Sequence, residues 1–76
     1  MEINDFILKF ADQFDDTELD AFAPETMFRE LDEWSSLVAL AILNMIEKKY
    51  NVRLSFAEMK STNTVQELFD LVSSKL

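Results

Sequence analysis

The chain of 76 residues contains no cysteine, no histidine and no glycine, and Pro24 is its only proline. Each absence closes off a class of chemistry or structure. Without cysteine there is no disulfide, and without a Cys/His set there is no structural zinc site, so a chain this short must be stabilised by packing alone. Without histidine no serine here can serve as the nucleophile of a Ser-His-Asp triad. No pair of groups with acid–base capability near neutral pH is visible either, which argues against an independent enzyme. Without glycine, and with a single proline, β-hairpins lose the residues their tight turns demand. The same lack removes a calcium reading of the acids Asp15, Asp16, Glu18 and Asp20, because an EF-hand loop needs its invariant glycine. Those acids read as a solvated loop.

Positive charge is also scarce: seven Lys/Arg stand against fifteen Asp/Glu, a formal net charge of −8. Nucleic acid is thereby disfavoured as a partner, since a phosphate backbone needs Lys/Arg to neutralise it. Anionic membrane surfaces are disfavoured for the same reason. Basic patches on other proteins are the complementary surface, acting chiefly through faster encounter. The longest apolar run, Leu37 to Ile46, is far shorter than the ~20 residues that span a bilayer. The acidic start Met1-Glu2-Ile3-Asn4-Asp5 lacks the basic region of a secretion signal. A cytoplasmic location and one domain over residues 1–76 are the expectations.

What is present is apolar and periodic. Apolar residues make up 49% of the chain, including seven phenylalanines, which supplies a core for an all-α fold. Ile3, Phe6, Ile7, Phe10 and Phe14 recur at helical spacing and predict a first helix from about Asn4 to Phe14, with Asn4 and Asp5 placed to cap it. Its phenylalanine stripe reads as core. From Asp15 to roughly Glu33 no long period holds. Leu19, Phe22, Met27, Phe28 and Leu31 are scattered around Pro24, as in a long loop with a short helical turn, held by buried aromatics. Loops of this length are often functional.

Ser36 to Tyr50 predicts a second helix, ~22 Å long at 1.5 Å per residue. Ala39, Ile42, Leu43, Ile46 and Tyr50 form the stripe expected to face the core. Leu37, Val38, Ala41, Asn44, Met45 and Lys48 lie on the other side, which is unusually apolar for a face meeting water. Val38, Ala41 and Met45 are expected to dock a partner. Leu37 reads equally as part of that face or as covered by the preceding loop. Two S/T-x-x-E capping boxes then follow, Ser55-Phe56-Ala57-Glu58 and Thr64-Val65-Gln66-Glu67. The first opens a short helix ending near Lys60, the second a last helix with Val65, Leu68, Phe69 and Val72 inward. Lys48-Lys49 and Lys75 fall in last turns, where cations complement the helix dipole.

These elements, in this order, resemble an acyl carrier protein. That family is a small acidic four-helix bundle with a long first loop, a short third helix and a serine opening the second helix. Here Ser35-Ser36-Leu37 stands where the family has Asp-Ser-Leu. Val38-Ala39-Leu40-Ala41-Ile42, Tyr50-Asn51-Val52-Arg53-Leu54-Ser55 and Thr64-Val65 follow in the family's order, and Trp34 ahead of the serine recurs in some stand-alone bacterial carriers. The resemblance spans essentially the whole chain.

It implies that Ser36 receives 4′-phosphopantetheine from coenzyme A through a phosphopantetheinyl transferase, with Ser35 and Leu37 flanking the site. The terminal thiol of that arm then carries an acyl or aminoacyl group as a thioester. A helix N-terminus suits the resulting phosphodiester, because free N–H groups and the macrodipole favour an anion. The protein itself then needs no acid, base or metal. Ser35 replaces an aspartate that helps the transferase and its magnesium, although a serine caps a helix as well as an aspartate does. The acidic stripe usual along the second helix is replaced by Val38, Ala41 and Lys48, with acidity instead at Glu30, Asp32 and Glu33. Val38, Ala41, Met45, Lys48 and Glu33 are therefore the expected docking residues for acyl- or aminoacyl-loading and acyl-transferring enzymes. The expectation is a monomer serving a dedicated pathway in place of the housekeeping fatty-acid cycle. The alternative is a carrier-like domain that stays unmodified and acts as an acidic interaction module.

Overall fold

The computed structural model describes residues 2–76; Met1, where the acidic N-terminal stretch begins, lies outside the described residues. It contains four α-helices: α1 (Ile3–Ala11), α2 (Ser36–Tyr50), α3 (Phe56–Lys60) and α4 (Val65–Ser74). No strand occurs among the described residues, which hold one isolated bridge, Met27 to Thr64. The all-α architecture, with its long first loop and short third helix, is the one the sequence predicts.

The first helix is shorter than its apolar spacing implied. It stops at Ala11, and the N–H groups of Gln13 and Phe14 turn to the carbonyls of Phe10 and Ala11 at 3.1 and 3.0 Å. These i→i+3 bonds tighten the helix end, and Phe14 still reaches the core. Asn4 and Asp5, expected as caps, lie inside the helix. Glu2 holds the cap position without a side-chain bond, while Asp5 is salt-bridged to Lys9 one turn on.

Two 3₁₀ turns, Leu19–Ala21 and Phe28–Glu30, give the long loop its shape. Phe22 and Phe28 are buried and anchor it, whereas Leu19 and Met27 are exposed. Phe10 is the hub of this packing: the rings of Phe14, Phe22 and Phe28 lie 5.5, 5.9 and 5.5 Å from it. The Phe22 and Phe28 contacts are edge-to-face, a geometry that adds roughly 0.5–1.5 kcal/mol each beyond burial, and the phenylalanine stripe is core.

The second helix runs from Ser36 to Tyr50, as its periodicity predicts, and ends at Asn51, whose φ of 57° is left-handed. Asparagine tolerates that conformation better than other residues with a Cβ, and here it stands in for the missing glycine. The buried side of α2 is wider than one stripe. At ~100° per residue Met45 falls only ~60° from Ile42 and Val38 only ~40°, while Leu37 lies ~140° away. Met45 is accordingly 6% exposed and belongs to the core, and Val38 packs against it. Both capping boxes form as expected, and they open α3 and α4. Lys75 lies one residue past α4 and bridges to Glu58 of α3 at 2.7 Å, tying the two helices together.

Candidate functional site

The N-terminus of α2 is held in place from behind. Trp34, half-buried, lies 5.2 Å from the ring of Phe28 and 6.4 Å from that of Phe14, and its N–H donates to the Leu31 carbonyl at 3.0 Å. The chain therefore leaves the core at a defined point. Ser35 follows in extended conformation, and its Oγ accepts the Val38 N–H at 3.2 Å. This is the N-cap role that the sequence allowed Ser35 in the absence of aspartate. Ser36 is then the first helical residue and is exposed. Among the described residues no protein acceptor takes the N–H of Ser36 or of Leu37. Two donors at the positive end of the helix dipole thus remain for solvent or an anion.

A groove of ≈ 300 Å³ opens beside this serine. It is lined by Ser36 and Ala39 of α2, by Phe56, Met59 and Lys60 of α3, and by Arg29 and Trp34 of the long loop. Leu37 next to Ser36 is 77% exposed, and Leu40, one turn further on, is 45% exposed. The loop therefore does not cover Leu37.

Several expected docking residues take other places. Met45 is buried in the core and cannot meet a partner in this fold. Val38 and Ala41 are half-buried at the edge of α2, and only Lys48 of that group is fully exposed. Glu33 is engaged within the chain. Its two carboxylate oxygens accept the N–H of Asp15 at 2.6 Å, the N–H of Asp16 at 3.0 Å and the Thr17 hydroxyl at 2.7 Å. The Thr17 hydrogen bond, reinforced by the two amides, holds the Glu33 carboxyl below the usual glutamate range. A half-buried carboxylate so engaged latches the start of the loop to its end. The exposed apolar surface around Ser36 is instead Leu37, Leu40 and Phe56.

Arg29, Phe56 and Lys60, which line the groove, and Leu40, exposed beside it, are residues that the sequence alone did not single out. A faint signal existed for Lys60. It has no carboxylate three or four residues away, whereas Lys9 has Asp5, so nothing local neutralises it.

Comparison with known proteins agrees with this geometry. The family model described as "Phosphopantetheine attachment site" matches residues 6–72, nearly the whole chain. Polyketide-8 synthase acyl carrier protein 2 of Streptomyces avermitilis is 43% identical over 49 residues, which cover 64% of this chain and 56% of that relative. The match thus spans little more than half the length of the curated relative. No solved structure matches. With a base-free serine exposed at the head of α2 and the family model covering all four helices apart from the ends of α1 and α4, the chain belongs to the phosphopantetheine-binding acyl carrier protein family, whose members are carriers with a covalently attached 4′-phosphopantetheine and not enzymes.

Proposed function

We propose that Ser36 is the residue that receives the phosphopantetheine arm. The observation that carries this reading is the exposed hydroxyl at the first position of α2, beside two N–H groups with no protein acceptor. Ser36 Oγ forms a bond to the pantetheine-side phosphorus of coenzyme A, the pyrophosphate P–O bond breaks, and adenosine 3′,5′-bisphosphate leaves. The serine proton passes to a base on the transferase. This chain has no histidine, and the carboxylate of Glu33 is committed to the loop. When bound, the arm supplies a thiol that holds cargo as a thioester.

The residues present fit that group. Ser35 orients the start of the helix, Trp34 fixes the point at which it leaves the core, and Leu37 and Leu40 give an incoming enzyme an apolar footing. The docking surface proposed here is Leu37, Leu40 and Phe56, with Ala41 and Lys48 further along α2. The cargo is an acyl chain of polyketide type, a reading supported by the name of the relative above. The carrier acts as a cytoplasmic monomer that visits its transferase and the loading and transferring enzymes in turn.

Intact mass tests the reading. The purified chain is incubated with coenzyme A, magnesium and a broad-specificity transferase, with Ser36→Ala as control. The expected result is a gain of one phosphopantetheine in the native chain and none in the variant. A gain that survives in Ser36→Ala moves the site elsewhere. No gain with several transferases leaves the unmodified interaction module as the function.

A further inference from the structure

We propose that α1 and the first half of the long loop form a second docking surface, separate from the Ser36 face, for a basic amphipathic segment of a partner protein. One apolar side chain of that segment sits between Leu8 and Leu19, with Lys or Arg flanking it. The starting point is the distribution of exposed apolar side chains. Leu37, Leu40 and Phe56 belong to the surface around Ser36, but Leu8 of α1 and Leu19 of the loop are 54% and 53% exposed as well. They share a groove of ≈ 280 Å³, lined by Leu8, Ala11, Asp12, Phe14, Thr17 and Leu19. That groove has no lining residue in common with the one beside Ser36. A leucine exposed alone is ordinary. Two that share one groove with the buried side chains of Ala11 and Phe14 make an apolar patch.

The chemistry of the occupant follows from the charge around the patch. Residues 10–28 hold Asp12, Asp15, Asp16, Glu18, Asp20 and Glu25 and no Lys or Arg, so most of the net charge of −8 is concentrated there. None of these six acids is salt-bridged among the described residues. Lys9, next to Leu8, is paired with Asp5. Asp12 lines the apolar groove itself, and Thr17 joins it to a second groove of ≈ 570 Å³ lined by Asp16, Glu18 and Asp32 among others. An apolar seat with an acidic margin repels an anionic lipid surface, an acidic segment and a second copy of this acidic chain. It matches a segment in which Lys or Arg flanks a leucine- or phenylalanine-sized side chain. The anchor then supplies affinity, and the cations speed encounter.

The surface is built before a partner arrives. Ahead of Leu19, the Glu33 carboxylate holds the Asp15 and Asp16 amides and the Thr17 hydroxyl. Behind it, the Phe22 N–H donates to the Leu19 carbonyl at 3.0 Å, and the buried Phe22 ring lies 4.9 Å from that of Phe14. Leu19 is thus fixed on both sides while its side chain stays exposed. A segment already ordered by the fold loses less entropy on binding. Occupation of this groove leaves Ser36 and Leu37 uncovered, so one protein can retain the chain while another works at the head of α2.

A displayed library of random dodecapeptides, selected on the full chain, tests the proposal. The most enriched peptide is synthesised and titrated into isotope-labelled protein, with amide shifts recorded by NMR. Enriched peptides are expected to carry Lys or Arg around a Leu, Ile, Phe or Trp, and the shifts to centre on Leu8, Asp12, Thr17 and Leu19. Leu8→Ala/Leu19→Ala, which alters only exposed side chains, should weaken binding about tenfold. Asp12→Asn/Asp16→Asn/Glu18→Gln should weaken it at ~0.15 M salt and make little difference at ~1 M, where the Debye length has shrunk to ~3 Å. With the peptide bound, coenzyme A and a transferase should add mass as fast as without it. No enrichment, or enrichment of acidic or neutral peptides, overturns the proposal. So do shifts centred on Leu37, Leu40 and Phe56, undiminished binding to Leu8→Ala/Leu19→Ala, or a peptide that blocks the mass gain. A dimer that buries Leu8 and Leu19 overturns it in favour of a second copy of the chain. If neither sample gains mass, the assignment of Ser36 falls, while the shifts and the variants still decide the docking surface.

Discussion

Three helices in this molecule begin with a hydroxyl cap, and two of them, α4 and α2, begin very differently. At α4 every early donor has an acceptor. Thr64 Oγ1 takes the Glu67 N–H at 3.1 Å, and Glu67 returns bonds to the N–H groups of Thr64 and Asn63 at 3.2 and 2.6 Å. The N–H groups of Val65 and Gln66 donate to loop carbonyls of Thr26 and Pro24 at 3.0 and 2.8 Å. Thr26 shapes that loop, its hydroxyl bridging Ala23 N–H and Ala21 O at 2.8 and 2.9 Å. At α2 the cap Ser35 takes one N–H, and three residues on stands Val38, which has nothing to return. Two donors are left over. The sealed start serves stability, because it fastens the long loop to the last helix. The open start suits the proposed attachment site, because a helix end without internal acceptors can receive an anion.

Breaking the sealed end should cost most. Phe28→Ala removes the fully buried ring that anchors the loop against Phe10 and Trp34. It should destabilise the fold by about 3–5 kcal/mol, measured by urea denaturation. Thr64→Ala disrupts the capping box of α4 and should cost about 1 kcal/mol. Ser35→Ala loses a single bond at an exposed cap and should cost about 0.5 kcal/mol, the low end of that range. Equal losses in these two variants would erase the distinction between the two helix starts. Ser35→Asp keeps the cap and adds a charge that the helix dipole favours by about 0.3–1 kcal/mol. It should also quicken modification by a generic transferase, read as the rate of mass gain.

The latch at Glu33 gives a smaller, local effect with a defined sign. Its carboxyl titrates below the ordinary glutamate value because of the Thr17 hydroxyl and the Asp15 and Asp16 amides. Its contribution is therefore complete above the unfolded-state pKa and is lost as pH falls through the lowered folded-state value. Protection of the Asp15 and Asp16 amides, taken relative to the intrinsic exchange rate at each pH, should fall on acidification from about pH 5 to about pH 3, and Glu33→Gln should flatten that dependence. The smallest change is expected for Ser36→Ala, whose stability should stay within about 0.5 kcal/mol of wild type because the hydroxyl makes no internal bond. That variant separates function from fold most cleanly.

Local rules made much of this legible in advance. The bounds of α2 followed from its periodicity, and α3 and α4 from their capping boxes, because a cap is a contact between residues three apart. The phenylalanines of α1 and the loop were legible as core because no other burial was available to so short a chain. Phe14 misled only about length: apolar spacing continues past Ala11, but the backbone tightens there into 3₁₀ bonds. Met45 was misplaced because helical spacing gives the direction of a side chain and not the width of the surface that neighbouring elements cover. The internal partners of Glu33 were not legible because they lie sixteen to eighteen residues earlier.

By itself, then, the amino-acid sequence determined an all-α fold without histidine or cysteine chemistry and a serine at the head of its second helix. Those properties depend on residue type and short-range spacing. Only the tertiary structure decided which face of that helix is covered, that Leu37 stands in the open, and that Arg29 and Lys60 line one groove with Ser36. Those outcomes depend on contacts between residues distant in the chain, which packing brings together and local periodicity does not encode.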